Sequence, residues 1–345
     1  MNGLVAAHRR IRRRRSLLVA IMVVLLCLGL CLDLATGPAG VPVREALASL
    51  LRLGDVPLST DVIVWRVRLP MATMAVLVGA ALGLAGVEMQ AVLDNSLAEP
   101  FTLGVSAAAA LGAALVIVLG LGLPGLAGAW LVPANAFFFS LGALFLLQMA
   151  LRLPGADTQT LVLFGVALGF CAGTALSLLQ FAASPDALQQ LAFWSMGSLS
   201  RSDWPGVGAL SALLLAVLPF SLRSRWAMTM LLLGEERARG AGIDVNRLRR
   251  RALLRIGLLA AGAVSFVGII GFVGLAAPHM ARLAVGEDHR HLVPASLLTG
   301  ALLMSSASVV SKVLVPGILL PVGIVTALIG LPLFIALIAR RGRSA

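Results

Sequence analysis

FTLGVSAAAALGAALVIVLGLGLPGLAGAWLVPANAFFFSLGALFLLQMAL, from Phe101 to Leu151, contains no acidic or basic side chain. A helix rises about 1.5 Å per residue and needs about 20 residues to cross a ~30 Å hydrocarbon core, so this run is too long for one pass. It must fold back on itself. The Gly- and Pro-rich piece from Gly120 to Pro133 is the natural turning point, which predicts spans near Thr102 to Leu119 and Ala134 to Leu151.

The rest of the chain has the same character. Of its 345 residues 59% are hydrophobic and only 12% charged, with a mean hydropathy of +1.00. A soluble domain carries about 25% charged residues, so this composition predicts an integral membrane protein. The formal charge of +12, from 27 basic against 15 acidic residues, would suggest nucleic acid in a soluble chain. Here the basic residues lie between apolar runs and no nucleic-acid motif accompanies them, so they read as topology signals. Tyr is absent and Trp numbers five, which predicts a thin interfacial aromatic belt with arginine as the main anchor. Cys27, Cys31 and Cys171 lie in apolar segments, where a disulfide framework has no role.

Residues 1–15 hold Arg9, Arg10 and Arg12 to Arg15 ahead of the apolar run Ser16 to Leu32, read as a retained first span with a basic cytoplasmic N-terminus. Further uncharged runs cover Met71 to Val87, Thr158 to Pro185, Pro205 to Leu222, Ile256 to Pro278, Leu292 to Ser311 and Val313 to Ala339. After the sixth span the chain returns to the cytoplasm, where basic residues crowd the segment from Arg223 to Arg255. The C-terminal Arg340, Arg341 and Arg343 also belong inside, and this requires one more crossing. Gly268, Gly271, Gly274 and Pro278 can break the stretch Ile256 to Val285 into a full span and a short returning helix. The expected architecture is all-α, one polytopic domain over 1–345 with about ten transmembrane helices and both termini cytoplasmic.

This parity places Asp33 to Leu69 outside, with Arg44, Arg52, Arg66 and Arg68. Solvated or headgroup contacts account for such arginines, and so does a docking surface for an acidic partner. Segment 228–250 contains LLLGEERARGAGIDVNRL, which predicts a short cytoplasmic helix, a Gly turn and a second basic helix. Its alternative is a solvated loop helix that serves orientation only.

The spans offer almost nothing to titrate, since Glu88 and Asp94 fall at or beyond a span end, and this argues against a proton-coupled carrier. His279, His289 and His291 read as interfacial rather than as a metal site. Lys312, the only lysine, is followed by Val313, so no phosphate-binding Lys-Ser/Thr loop exists. No hydrolase elbow or His-Glu-x-x-His pair appears either. The expectation is a transport subunit without catalytic residues, cofactor or resident metal, with any ATP hydrolysed by another polypeptide.

Several longer motifs carry a resemblance. ArgLeuPro at Arg68 to Pro70, LVGAALGLAG at Leu77 to Gly86, Gln90 and NSLAEPFTLGVS at Asn95 to Ser106 resemble the first signature of FecCD-type permeases. LGEERARGAGIDVNRLR at Leu233 to Arg249 resembles that family's coupling helices. GFVGLAAPHMARLAVGEDHRHLVPASLLTGA at Gly271 to Ala301 and LPVGIVTALIGLPLF at Leu320 to Phe334 resemble its C-terminal signatures. These are the membrane subunits of ABC importers for iron-siderophores, haem and cobalamin. The resemblance covers roughly the chain from Val62 onward and implies a type II ABC importer permease in the bacterial inner membrane. It implies a second permease subunit, two ABC ATPases, an extracytoplasmic binding protein and surrounding lipid as partners, and no nucleic acid. It places ATPase coupling on Gly234, Glu235, Glu236, Ala238 and Gly242, binding-protein docking on Arg68 and Lys312, and a pathway gate on Thr158, Gln159 and Thr160.

Departures from the family pattern lie at Met71, at Asp94 and Ser96, at Ser308 and Lys312, and at Leu319. Together they remove docking charge and unpair a polar set, which favours heterodimeric assembly or a retuned transporter. The leading function is uptake of a metal chelate, ferric siderophore first and haem or cobalamin as the alternative. A non-transporting membrane scaffold or sensor subunit is the rival from another class.

Overall fold

The computed structural model describes residues 2–37, 40–53, 55–126, 128–152, 158–315 and 317–341. The side chains of the N-terminal arginines between residues 9 and 15, and that of Thr158 in the expected gate, lie outside that description. So do residues 153–157 of the loop before the gate, and Arg343.

The described chain is helical. α1 (Asn2–Ala35) is followed by α2 (Val43–Leu51) and α3 (Leu58–Val62), and a π-helical turn (Ile63–Arg68) leads directly into α4 (Leu69–Val92). A 3-10 turn (Pro100–Leu103) precedes α5 (Val105–Leu119) and α6 (Leu131–Ala150), joined through the Gly- and Pro-rich connection expected from the sequence. Next come α7 (Thr158–Ala182), α8 (Pro185–Ser195), α9 (Trp204–Leu231) and α10 (Glu235–Gly240). α11 (Val245–Val267), α12 (Val273–Val285), α13 (His289–Val313) and α14 (Val322–Arg341) complete the order.

Among the described residues six helical segments are long and apolar enough to cross a membrane: Leu17–Ala35, Leu58–Val92, Gly128–Ala150, Gln159–Ala182, Trp204–Leu231 and His289–Val313. Val105–Leu119 and Val322–Pro332 are shorter apolar helices. α11 carries Arg249, Arg250, Arg251 and Arg255, which dilute its hydropathy, and α12 has only 13 residues. The expected break between these two lies at 268–272, where Gly268 has φ 81° and Phe272 φ 68°. Pro278, expected to contribute to that break, instead sits within α12.

α4 is the axis of the fold. It is apolar on every side, as a helix surrounded by other helices must be, and it packs against α9, α11, α12 and α13. Glycine lets the backbones touch. A Cβ on Gly79 would collide with the Gly300 carbonyl of α13, and one on Gly86 with the Gly274 carbonyl of α12.

α7 is the opposite case. Leu163, Phe170, Leu178 and Phe181 are all exposed, leaving a long apolar face without a partner in the isolated chain.

Several elements depart from the expected boundaries: α4 runs on to Val92, and α11 starts at Val245, so that the basic helix expected before Ile256 and the span after it are one element. α9 continues past Leu222 to Leu231, carrying Arg223 and Arg225 on a helix capped at its start by Asp203. α8 forms where hydropathy alone indicates only the end of a span. Ser184 caps it, with Pro185 at its first position and Asp186 in its first turn.

Tryptophan is segregated. Trp65, Trp130, Trp194 and Trp204 gather around one end of the bundle, where Trp204 Nε1 donates to the Trp65 carbonyl at 2.9 Å. Trp226, near the far end of α9, lies at the other end with Arg249, Arg255 and Arg282. The bundle thus has a tryptophan-rich end and an arginine-rich end.

Candidate functional site

At the arginine-rich end, α10 is a single short helix set between two glycines with positive φ, Gly234 at 104° and Gly242 at 81°. Those angles suit glycine and mark both ends of the element as turning points. Ala238 is fully buried against Leu231, Val245 and Leu248, while Glu236 and Arg239 face outward. The candidate coupling residues Gly234, Glu235, Glu236, Ala238 and Gly242 therefore form one compact knuckle.

The knuckle is tied to the core by an arginine. Arg249 Nη2 donates to Glu235 Oε1 at 2.6 Å, and Arg249 Nε donates to the Val92 carbonyl at the end of α4, at 3.1 Å. One guanidinium thus bridges α10 and α4, with a planar fork suited to two acceptors at once. Deeper in, Arg255 Nε lies 2.9 Å and 3.0 Å from the two carboxylate oxygens of Glu88, and its Nη2 donates to Ser224 of α9 at 3.0 Å. From α12, Arg282 Nη2 donates to Gln90 Oε1 at 3.2 Å. Three arginines from two helices grip the last two turns of α4.

This corrects two expectations. Glu88 is not at a span end: α4 continues to Val92, and Glu88 is 0% exposed. Arg249 and Arg255 do more than mark topology, because both are buried in contacts with α4. The available signal was Glu88 itself, a carboxylate beside an apolar run that required a cationic partner at membrane depth.

Between α4 and α5 the chain turns through Asp94, with φ 47°, and an Asx turn in which Asn95 Oδ1 accepts from Leu97 N–H at 2.9 Å. The segment then packs Pro100 and Glu99 against Gly274 at the start of α12. Burial pushes the Glu99 carboxyl up to about 7, opposed by a hydrogen bond from the Phe272 backbone. Glu99 Oε1 has no partner among the described residues. A half-buried acid thus stands beside the break between α11 and α12.

The tryptophan-rich end holds the two candidate docking residues, and neither presents its charge to solvent. Arg68 is 4% exposed, and its Nη1 donates to the Leu34 carbonyl at 2.8 Å. Lys312 is 6% exposed and donates to Asp33 Oδ1 at 2.7 Å, while Ser308 Oγ donates to the same oxygen at 2.9 Å. Ser308 and Lys312, two of the departures expected to unpair a polar set, thus both find Asp33 Oδ1 of α1, while Asp33 Oδ2 is left without a partner among the described residues. Arg44 on α2, Arg52 just after it and Arg66 on the π-helical turn remain exposed nearby. Met71 is buried in the core of α4.

Of the gate candidates, Gln159 is exposed and Thr160 half-buried in the first turn of α7. They lie on a different helix from both polar networks. His289, expected to be interfacial, is completely buried at the start of α13, its backbone N–H donating to Thr229 Oγ1 at 3.0 Å.

The comparisons fit this geometry. Residues 23–340 match the model of the FecCD transport family. The chain belongs to that family. Its relatives include the vitamin B12 import system permease protein BtuC of Klebsiella pneumoniae, 36% identical over 99% of this chain and 98% of that protein. The hemin transport system permease protein HmuU of Yersinia pestis is 36% identical over 82% of this chain and 86% of its own length. A solved structure described as an inward-facing metal-chelate type ABC transporter superposes with a TM-score of 0.83 at 29% identity, over 94% of this chain and 99% of that one. The fold is that of a type II ABC importer permease, and this FecCD chain is an ABC importer permease.

Proposed function

We propose that this FecCD permease is the membrane subunit through which an ATP-driven importer carries a metal chelate across the bacterial inner membrane. Its chain forms one membrane domain of ten crossings, in which α5, α11, α12 and α14 join the six longer segments. The arginine-rich end and both termini face the cytoplasm by the positive-inside rule. Two such subunits pair through the exposed face of α7, around a pathway whose cytoplasmic gate is at Thr158, Gln159 and Thr160. Because Asp33 already satisfies Ser308 and Lys312, no paralogue is needed to complete those charges, and two identical subunits suffice. The extracytoplasmic binding protein docks at the tryptophan-rich end on the exposed Arg44, Arg52 and Arg66. Arg68 and Lys312 shape that surface from beneath by holding α1.

The observation that carries the reading is the bridge from Glu235 through Arg249 to the Val92 carbonyl. A separate ATPase subunit that presses on Glu235, Glu236 and the exposed side of α10 displaces a short element hinged at Gly234 and Gly242. Ala238 seats it, and Arg249 passes the displacement to α4, the helix on which the others pack. Rigid elements with two arrangements convert such small shifts into domain rocking.

The named relatives handle haem and vitamin B12, both metal-tetrapyrroles, which favours that chelate class over a ferric siderophore. The test is reconstitution of the whole complex, with its ATPase and binding protein, in proteoliposomes offered haem, cobalamin or a ferric siderophore. ATP-dependent accumulation of one of them is expected, and Arg249→Gln should retain at least half of the ATPase turnover while losing at least tenfold in uptake. Absence of ATP-dependent accumulation for all three chelates overturns the reading and favours a scaffold. Normal coupled uptake in Arg249→Gln removes the bridge from the mechanism.

A further inference from the structure

At the tryptophan-rich end a cavity of about 400 Å³ opens between α5, α6, α8 and α11, with Trp130, Trp194 and Phe266 among its walls. Arg201, in the connection from α8 to α9, stands at its rim. Among the described residues the Arg201 guanidinium has no hydrogen-bond or ion-pair partner. Arg201 is exposed at this rim, and its partial burial against the cavity lowers its pKa from the ordinary arginine value with no compensating anion among the described residues. Asp203 also lines the cavity, but its Oδ1 accepts from Gly206 N–H at 2.9 Å and caps the 28-residue α9. Its charge is thereby offset by the helix N-terminus.

A second cavity of about 410 Å³ shares Trp130, Pro133, Ser265 and Phe266 with the first. Its other walls lie deeper. From Pro133 to Phe137 on α6, from Ala209 to Leu213 on α9 and from Phe266 back to Gly262 on α11, each step is one helical turn, about 6 Å toward the middle of the bundle. All three helices give the same direction. Ser265, the one hydroxyl in this lower part, is satisfied by the Gly262 carbonyl at 2.9 Å. The two cavities together make a slot with an unpaired cation at an interfacial rim marked by indoles and an apolar floor that descends into the membrane.

We infer that this slot binds a membrane phospholipid with an anionic headgroup, the headgroup at Arg201 and one acyl chain between α6, α9 and α11. The charge at the rim selects an anion, and an apolar channel running down from it rejects a free inorganic anion as the full occupant. The site is separate from the exposed face of α7 and from the knuckle at α10.

Native mass spectrometry of the full chain, titrated with phosphatidylglycerol or with phosphatidylcholine of the same acyl composition, tests it. One lipid per chain should bind, phosphatidylglycerol about fivefold more tightly, the preference expected from one basic residue near an anionic headgroup. Arg201→Gln should bring that ratio to about one. Ala209→Trp, which fills the lower slot from a half-buried position, should weaken both lipids by about tenfold. Size-exclusion profiles report whether each variant is folded. If either is not, the unmodified chain still decides, because the phosphatidylglycerol preference must fall as salt rises. An unmodified chain without headgroup preference, a preference that survives Arg201→Gln or high salt, or unchanged binding in Ala209→Trp overturns the proposal. So does competition by glycerol phosphate at the same concentration as intact lipid, which would make this an anion site only.

Discussion

The two polar ends of the bundle solve the same electrostatic problem in opposite senses. At the arginine-rich end, α11 and α12 reach inward, and Arg249, Arg255 and Arg282 converge on the final turns of α4. At the tryptophan-rich end, the π-helical turn before α4 and the end of α13 reach outward, and Arg68 and Lys312 hold the end of α1. The first arrangement ties the central helix to the element that meets an ATPase in the proposed mechanism. The second pins a peripheral helix, only 11% of whose apolar window is buried within the chain. Buried charge therefore serves transmission at one end and attachment at the other, and the two uses respond differently to mutation.

The largest effect is expected at Glu88 and Arg255. Arg255→Met leaves a fully buried carboxylate without its cation and should cost about 3–5 kcal/mol in thermal unfolding of the detergent-solubilised chain, whereas Glu88→Leu combined with Arg255→Met should recover most of it. If the double variant is as unstable as the single, the pair does more than neutralise charge. At the other end Lys312→Met should cost less, about 2 kcal/mol, because α1 is peripheral and can carry Asp33 toward the interface. Its signature is local: limited proteolysis between α1 and α2 should accelerate, and Asp33→Asn should partly reverse it. Equal protease resistance in the variant and the parent chain would show that α1 is held by other contacts.

Glu99 sharpens the comparison through pH. Its folded-state pKa of about 7 lies above the ordinary 4.5, so the folded chain retains a proton that the unfolded chain releases. Stability contributed by this neutral acid is full below about 4.5 and is lost as pH rises toward 7. Glu99→Gln should therefore stabilise the chain at pH 8, by on the order of 2 kcal/mol after allowance for partial exposure, and change little at pH 4. A pH-independent effect would mean that the carboxyl is charged throughout. The smallest effect belongs to Arg239, whose contact with Glu235 at 2.9 Å is a solvated i,i+4 pair. Arg239→Ala should shift stability by no more than about 0.5 kcal/mol, although Glu235 also meets Arg249.

Features set by local chemistry are legible in the amino-acid sequence. The turn between α5 and α6, the break after α11 and the glycine-bounded knuckle at α10 each follow from Gly and Pro within a few residues. The polar networks are not legible there, since Arg255 meets Glu88 across 167 positions and Ser308 meets Asp33 across 275. Hydropathy averages over a window and cannot pair residues so far apart. It also ends α9 at Leu222, because arginines that run along an emerging helix look the same as arginines in a loop. Arg68 and Lys312 read as outward charges for a related reason: parity places a residue at an end of the bundle without saying which way its side chain turns. α8 does carry a local signal in Ser184, Pro185 and Asp186, a helix start placed directly after a long apolar run.

The separation of tryptophan has a practical result. Tyrosine is absent, and Trp226 stands alone at the arginine-rich end, 46% exposed, with the other four indoles at the far end of the bundle. A chain in which those four are replaced by phenylalanine would fluoresce from one native position at the same end as the knuckle, so the movement proposed there could be timed optically without attaching a dye.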